Sequence, residues 1–214
     1  MQKTKMILWD WNGTLLDDVA LCNQLINTLL TRHGYAPIGG LTQYRDVFCF
    51  PIATYYQKAG FDFTRDSYEA LADEYMALYL AQSAACPLQP GAQAVLHTLQ
   101  KNNVRQAILS ASHHDILAKQ VAEYGIASYF DAMVGIDNVL GGSKIEAGKA
   151  WFAQGGIAPA QTVMIGDSVH DFEVATALGV QCILYGGGHQ PAEKLAATGA
   201  PVIQNLQELS GLVL

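Results

Sequence analysis

Apolar and polar positions follow two different rhythms along this chain, and the rhythm changes twice. Met6-Ile7-Leu8-Trp9 is an unbroken apolar run that reads as a buried strand. Asp17 and Asp18 can then cap a helix running to about His33-Gly34, with Leu21, Leu25 and Leu29 on one stripe. From Tyr35 to Ala85 no clear strand is visible. That stretch predicts helices over Thr42 to Val47, Ile52 to Ala59, and Asp66 to about Ala81. The last carries Tyr68, Leu71, Tyr75, Leu78 and Tyr79 at helical spacing, which reads as a packing stripe.

Beyond Pro87, short apolar strands alternate with helices closed by glycine. Strands are predicted from Val104 to Leu109, ending at Ser110, and from Ala132 to Ile136. Others follow at Thr162 to Ile165, ending at Gly166-Asp167, at Cys182 to Tyr185, and at Val202-Ile203. Helices are predicted from Pro90-Gly91 to about Asn102, and over Asp115 to Tyr124, Ile145 to Gln154, Phe172 to Leu178 and Pro191 to Ala197. A final turn covers Leu206 to Leu209. Such alternation implies a parallel sheet covered on both faces by right-handed crossovers. The expected fold class is α/β: a Rossmann-like parallel sheet core with a small α-helical domain. Residues 1–15 and 88–214 would form the core, and residues 16–87 the helical insert.

Composition narrows the function classes. Half of the 214 residues are hydrophobic and 14% are charged, so a sizeable core is expected and disorder is not. The net charge is -7, and no patch or stripe of Lys and Arg appears. Nucleic acid and anionic membrane are therefore excluded as general partners. An anionic small molecule stays open, because a phosphate site needs only one or two cations and a metal. The four cysteines, Cys22, Cys49, Cys86 and Cys182, are scattered without metal spacing and read as small buried hydrophobes in a reducing compartment. The chain enters a strand within a few residues, so no signal peptide is expected, and no apolar run approaches the roughly 18 residues of a membrane span. The expectation is a cytoplasmic protein, monomeric or homodimeric.

The chemistry collects at strand ends. Asp10 follows the first strand, with Gly13 and Thr14 close behind. Ser110 ends another, a Gly-rich loop precedes Lys144, and Asp167 ends a third. Each alone is an ordinary turn, cap or solvated residue. Together, on one sheet whose carboxyl ends bind ligands, they describe a site for a metal and an anion. Gly166-Asp167-Ser168-Val169-His170-Asp171 adds two acids four residues apart, suited to a hard cation such as Mg2+. Asp171 can also cap the helix that follows.

Four of these stretches resemble, in order, the motifs of the haloacid dehalogenase superfamily. Asp10-Trp11-Asn12-Gly13-Thr14 is similar to its Asp-x-Asp-Gly-Thr motif, with Asn12 in place of the second Asp. Ile108-Leu109-Ser110 resembles the second motif and Lys144 the third, ahead of Lys149, which lies farther into the helix. Gly166-Asp167 through Asp171 resembles the fourth. An insert just after the first motif is similar to the small helical cap of phosphoglycolate phosphatase-like members.

The resemblance implies a Mg2+-dependent phosphatase acting on a small phosphorylated metabolite, with Asp10 as the nucleophile of an aspartyl-phosphate. It implies Asp10, Asp167, Asp171 and the Asn12 carbonyl as metal ligands. Ser110 and Lys144 would hold phosphate oxygens, helped by backbone near Gly13, Thr14 and Ala111. Arg45, with Tyr44, Tyr55, Tyr56 and Lys58, would present the insert to the substrate. Asn12 counts as a catalytic position because the family's second Asp protonates the leaving alcohol, and an amide has no proton to give. His113, His114 and His170 are candidates to replace it. Two alternatives follow from Asn12: a phosphonoacetaldehyde hydrolase-like enzyme using Lys58, or a phosphate-binding regulatory protein of low turnover.

Overall fold

A computed structural model describes residues 4–136 and 143–214. The elements in chain order are β1 (Met6–Trp9), α1 (Val19–Arg32), α2 (Leu41–Val47), α3 (Ile52–Ala59), α4 (Tyr68–Gln82), α5 (Ala92–Lys101), β2 (Arg105–His113) and α6 (His114–Glu123). They continue with β3 (Ala132–Ile136), α7 (Lys144–Ala153), β4 (Thr162–Gly166), α8 (Val169–Leu178), β5 (Gln181–Tyr185), α9 (Ala192–Ala196), β6 (Val202–Ile203) and α10 (Leu209–Val213).

The six strands form one sheet in the order β3-β2-β1-β4-β5-β6, and every pairing is parallel. β1 is central because all four of its residues are fully apolar and buried. Its alternation sends Ile7 and Trp9 into one core layer and Met6 and Leu8 into the other. Helices cover both faces, as a buried parallel sheet requires. The chain builds outward from β1 toward β3 on one side and toward β6 on the other. The topological switch therefore falls beside β1, where such sheets bind ligands at the carboxyl ends.

Helices α1 to α4 bury a hydrophobic cluster of their own, with Leu25, Ile26, Leu29, Tyr44, Tyr56 and Leu71 among its members. Two segments join this cluster to the sheet, and they are tied to each other. The Asp17 amide donates to the Pro87 carbonyl at 2.9 Å, and the Gln89 amide donates to the Leu15 carbonyl at 2.8 Å.

The structure corrects four sequence expectations. β2 continues through His113, so Ser110 lies within the strand; its pairing with β3 shifts register between Leu109 and His113. α8 begins at Val169, which places His170 and Asp171 in its first turn, with Ser168 as the cap. Lys144 is the first residue of α7 and does not precede it. Asp18 stands at the N-cap position of α1 but makes no capping bond, because its carboxylate is drawn to other partners. The Gly-rich loop before Lys144, residues 141–142, lies outside the described residues.

Candidate active site

β1 and β4 are neighbours, so the loops after them bring Asp10 and Asp167 together. Gly13 makes this approach possible. Its φ is +73°, and a Cβ there would collide with the Asp167 carboxylate. Thr14 is fully buried, and its hydroxyl stands between the two acids, 3.2 Å from Asp10 Oδ2 and 3.3 Å from Asp167 Oδ1. It orients the carboxylates. The Gly13 amide is likewise committed, donating to Asp18 Oδ1 at 3.0 Å. Neither residue presents the free donor to substrate that the sequence suggested.

Lys144 reaches across from α7. Its Nζ donates to Asp10 Oδ1 and to Asp171 Oδ1, each at 2.6 Å, inside a buried triad. Asp171 Oδ2 accepts from the amides of Asp167 and Ser168, and from the Ser168 hydroxyl at 2.6 Å. Asp171 thus closes a reciprocal cap with Ser168 while facing Lys144. Ser110 and Ala111 line the cavity above these acids, and Ser110 Oγ accepts from the Ser112 amide at 3.0 Å.

Charge here is out of balance. Burial pushes the Asp10 carboxyl up to about 6, against the pull of Lys144. Burial pushes Asp167 up to about 7, with His189 opposing and the charge of Asp10 adding to it. Burial acts on Asp171 as well, yet the ion pair and hydrogen bond from Lys144 hold it below the usual carboxylate range. Lys144 is raised: its two carboxylate partners outweigh its burial. Asp10, Asp167 and Asp171 each offer a carboxylate oxygen, and these atoms lie within 4.8 Å of one another. Three carboxylates share the single charge of Lys144, which touches Asp10 and Asp171 but not Asp167, and oxygen donors suit a hard divalent cation, so the donor set fits Mg2+.

Beside this cluster lies a second one that sequence reasoning missed. Asp18 is fully buried and accepts from the Gly13 amide, from Asn12 Nδ2 at 2.8 Å and from the Tyr79 hydroxyl at 2.7 Å. His189 Nε2 stands 3.3 Å from Asp18 Oδ1, while His189 Nδ1 meets the Tyr44 hydroxyl at 2.8 Å. Burial works against the His189 charge, but its bond to Asp18 prevails and raises the ring to about 9. Burial also disfavours the Asp18 charge, but His189, Asn12 and Tyr79 hold that acid below its ordinary value. Cys22 joins the group through a 3.7 Å contact from its thiol to Asp18. The only sequence signal was a histidine directly after Gly186-Gly187-Gly188 at the end of β5.

Asn12 is gripped on both sides. Nδ2 donates to Asp18 and to the Tyr79 oxygen at 2.7 Å, and Oδ1 accepts from Ser112 Oγ at 2.8 Å. Arg45 is not part of the cavity wall. Its Nε and Nη2 donate to the carbonyls of Gly188 and Gly187 at 2.9 and 3.0 Å, fastening α2 to the loop after β5. Of the candidate histidines, His170 lines the cavity and stacks on Phe50 at 4.5 Å. His113 caps α6, and His114 begins it; neither lines the cavity. Lys58 is exposed on α3 and also stands apart from the cavity.

The cavity holds about 640 Å3, with the acids and Lys144 at its floor and α2 to α4 contributing the opposite wall. Among the described residues no helix is long and apolar enough to cross a membrane.

Comparison with known proteins agrees with this arrangement. A phosphoglycolate phosphatase from Nitrosococcus oceani is 28% identical over 198 residues, covering 88% of this chain and 88% of its own. One from Pseudomonas putida is 26% identical, covering 96% of this chain and 78% of its own. A haloacid dehalogenase-like hydrolase from Streptococcus pneumoniae shares the fold, with a TM-score of 0.86 at 18% identity over all of both chains. The sequence model for haloacid dehalogenase-like hydrolases matches residues 7–185, from β1 to the end of β5. With the match running through both acidic strand ends and the helical insert between them, the chain belongs to the haloacid dehalogenase-like hydrolase family.

Proposed function

We propose that this chain is a Mg2+-dependent phosphatase that hydrolyses small phosphorylated metabolites through an aspartyl-phosphate on Asp10. The observation that carries the reading is the buried set of Asp10, Asp167 and Asp171, with Lys144 bonded to Asp10 and Asp171. An acid cluster of this kind is costly unless it works with a cation and a phosphoryl group. Asp10 attacks phosphorus with a carboxylate oxygen, and the ester oxygen departs with its electron pair. Water then adds to phosphorus and frees both phosphate and the Asp10 carboxylate. Asp10, Asp167, Asp171 and the Asn12 main-chain carbonyl would hold the Mg2+. When bound, that ion would offset charge on the attacking carboxylate and the phosphoryl oxygens. Lys144 holds Asp10 in place and faces the phosphoryl group, with Ser110 and the Ala111 backbone beside it.

Residues 16–87 would act as a cap that closes on the core formed by residues 1–15 and 88–214, shielding the site from bulk water while leaving room for the one water that hydrolyses the intermediate. The paired segments at Leu15–Asp17 and Pro87–Gln89 would be its hinge. The relatives named phosphoglycolate phosphatase support the phosphatase reading. The position of Lys58, exposed and outside the cavity, gives no support to a Schiff-base mechanism.

The test is a panel of phosphorylated metabolites assayed with Mg2+, wild type against Asp10→Asn. The expected result is turnover that disappears in the variant while its circular dichroism and melting stay cooperative. Undiminished turnover by Asp10→Asn would remove Asp10 as the nucleophile. A wild type that binds phosphate esters without consuming them would favour a regulatory binding protein.

A further inference from the structure

We infer that the substrate is an aryl phosphate: a phosphate ester of a phenol-type ring, uncharged beyond its phosphoryl group. The inference rests on the phosphatase reading and is carried by three observations.

The first is the character of the wall facing the acids. Phe48, Phe50, Ile52, Tyr55, Tyr75 and Met76 line it, and aromatic side chains dominate. Among the described lining residues, Lys144 is the one lysine or arginine, and both of its bonds go to Asp10 and Asp171. Arg45, three residues before Phe48, spends its donors on Gly187 and Gly188, and Lys58, three after Tyr55, is exposed and outside the cavity. Of the two histidines that line the cavity, His189 is committed to Asp18 and Tyr44 and His170 stacks on Phe50, so a substrate carrying a carboxylate, such as phosphoglycolate, would meet a mainly apolar wall with no lysine or arginine to pair that charge. A flat ring would instead bury its faces against aromatic edges and faces.

The second observation is size. A cavity of about 640 Å3 falls in the range of roughly 300–1,000 Å3 that suits a drug-sized ligand and is far from filled by a two-carbon acid. Tyr55 is buried in this wall, and its hydroxyl has no hydrogen-bond partner among the described residues. A polar substituent on the ring would supply one.

The third is Asn12, which cannot protonate a leaving group and is locked by Asp18, Tyr79 and Ser112. A phenolate leaves without a proton far more readily than an alkoxide does. The P–O bond to the ring breaks as Asp10 attacks, the electron pair stays on the phenolate oxygen, and the phenolate takes its proton from bulk water. The cavity wall and Asn12 thus select the same ester.

Two measurements decide the matter. The first compares kcat/KM with Mg2+ for 2-naphthyl phosphate, phenyl phosphate, an n-alkyl phosphate and phosphoglycolate. The naphthyl ester should lead phosphoglycolate by tenfold or more, and rates among substituted phenyl phosphates should fall as the pKa of the phenol rises. Met76→Arg should narrow the gap by admitting the carboxylate. If phosphoglycolate leads in wild type, the aryl assignment is wrong while the phosphatase reading stands. The second measurement is Mg2+-supported binding, by calorimetry, of 2-naphthylmethylphosphonate and 3-phosphonopropionate to wild type. It needs no turnover, so it decides the aryl assignment even if no ester is hydrolysed and the phosphatase reading fails. The aryl phosphonate should bind at least tenfold more tightly. Equal affinity, or a preference for the carboxylate, overturns the inference.

Discussion

The Asn12 carboxamide donates to the Asp18 carboxylate at 2.8 Å, a contact that favours an amide at a position where the resemblance implies a carboxylate. A carboxylate at position 12 would face a second, fully buried carboxylate at hydrogen-bond distance. Like charges so placed cannot both ionise without a large cost. Asp18 is already ionised, held by His189, Tyr79 and the Gly13 amide. The amide is the residue that this neighbour favours.

The pair can be tested by a double-mutant cycle. Asn12→Asp replaces a donor by a charge and should cost at least the roughly 1–3 kcal/mol of a buried polar group left unpaired, because a buried charge costs more. Asp18→Asn should also destabilise, since it strips His189 of its counterion. The double variant restores one donor and one acceptor across the pair, so it should lose less than the sum of the two singles. Urea unfolding at neutral pH measures the coupling. Strict additivity would mean that the two side chains do not sense each other.

The metal assignment predicts a melting signature. Added Mg2+ should raise the melting temperature of wild type, because a ligand that binds only the folded state stabilises it by mass action. Asp167→Ala should abolish that rise. It should not unfold the protein, since it removes a carboxylate that burial already disfavours. A Mg2+ response retained in full by Asp167→Ala would place the ion elsewhere.

Arg45 should behave as a fastener. Its planar fork binds two successive carbonyls, which a lysine cannot reproduce. Arg45→Lys and Arg45→Ala should both increase amide hydrogen exchange in the loop after β5, and KM should rise with less change in kcat. Hydrogen bonds from a charged donor contribute about 1.5–3 kcal/mol, so protection there should drop by roughly tenfold or more. Unchanged exchange in that loop would deny the fastening role.

The helical insert carries its own pH dependence. His33 bridges Asp66 and Glu74 at 2.8 and 2.9 Å, and hydrogen bonds first to Glu74 and then to Asp66 raise its pKa. A raised histidine stabilises the fold fully below its unfolded value of about 6.5 and loses that contribution as pH climbs through the folded value. The wild-type advantage over His33→Gln should therefore be greatest near pH 5.5 and decline toward alkaline pH. The site is partly exposed, so high salt should shrink the difference. A difference that is flat with pH would show that the bridge is held by packing and not by charge.

By itself, the sequence determined the elements and which strand ends carry acids. An apolar run as short as Met6 to Trp9, bounded by polar residues, reads as a buried strand, and glycine-closed helices alternating with such runs imply a parallel sheet. Asp10 and Asp167 were legible because each directly follows a strand, and a strand end has a fixed place in such a sheet. Tertiary structure decided everything that depends on a partner far along the chain. Asp18 read as a helix cap until folding set it against His189, 171 residues away, and against Tyr79. Arg45 read as a substrate ligand until the loop after β5 claimed its donors, and Thr14 did so until two acids closed on its hydroxyl. The physical reason is the same in each case. Spacing along a chain fixes a side chain's place in its own element, while its hydrogen-bond partners depend on which elements pack together.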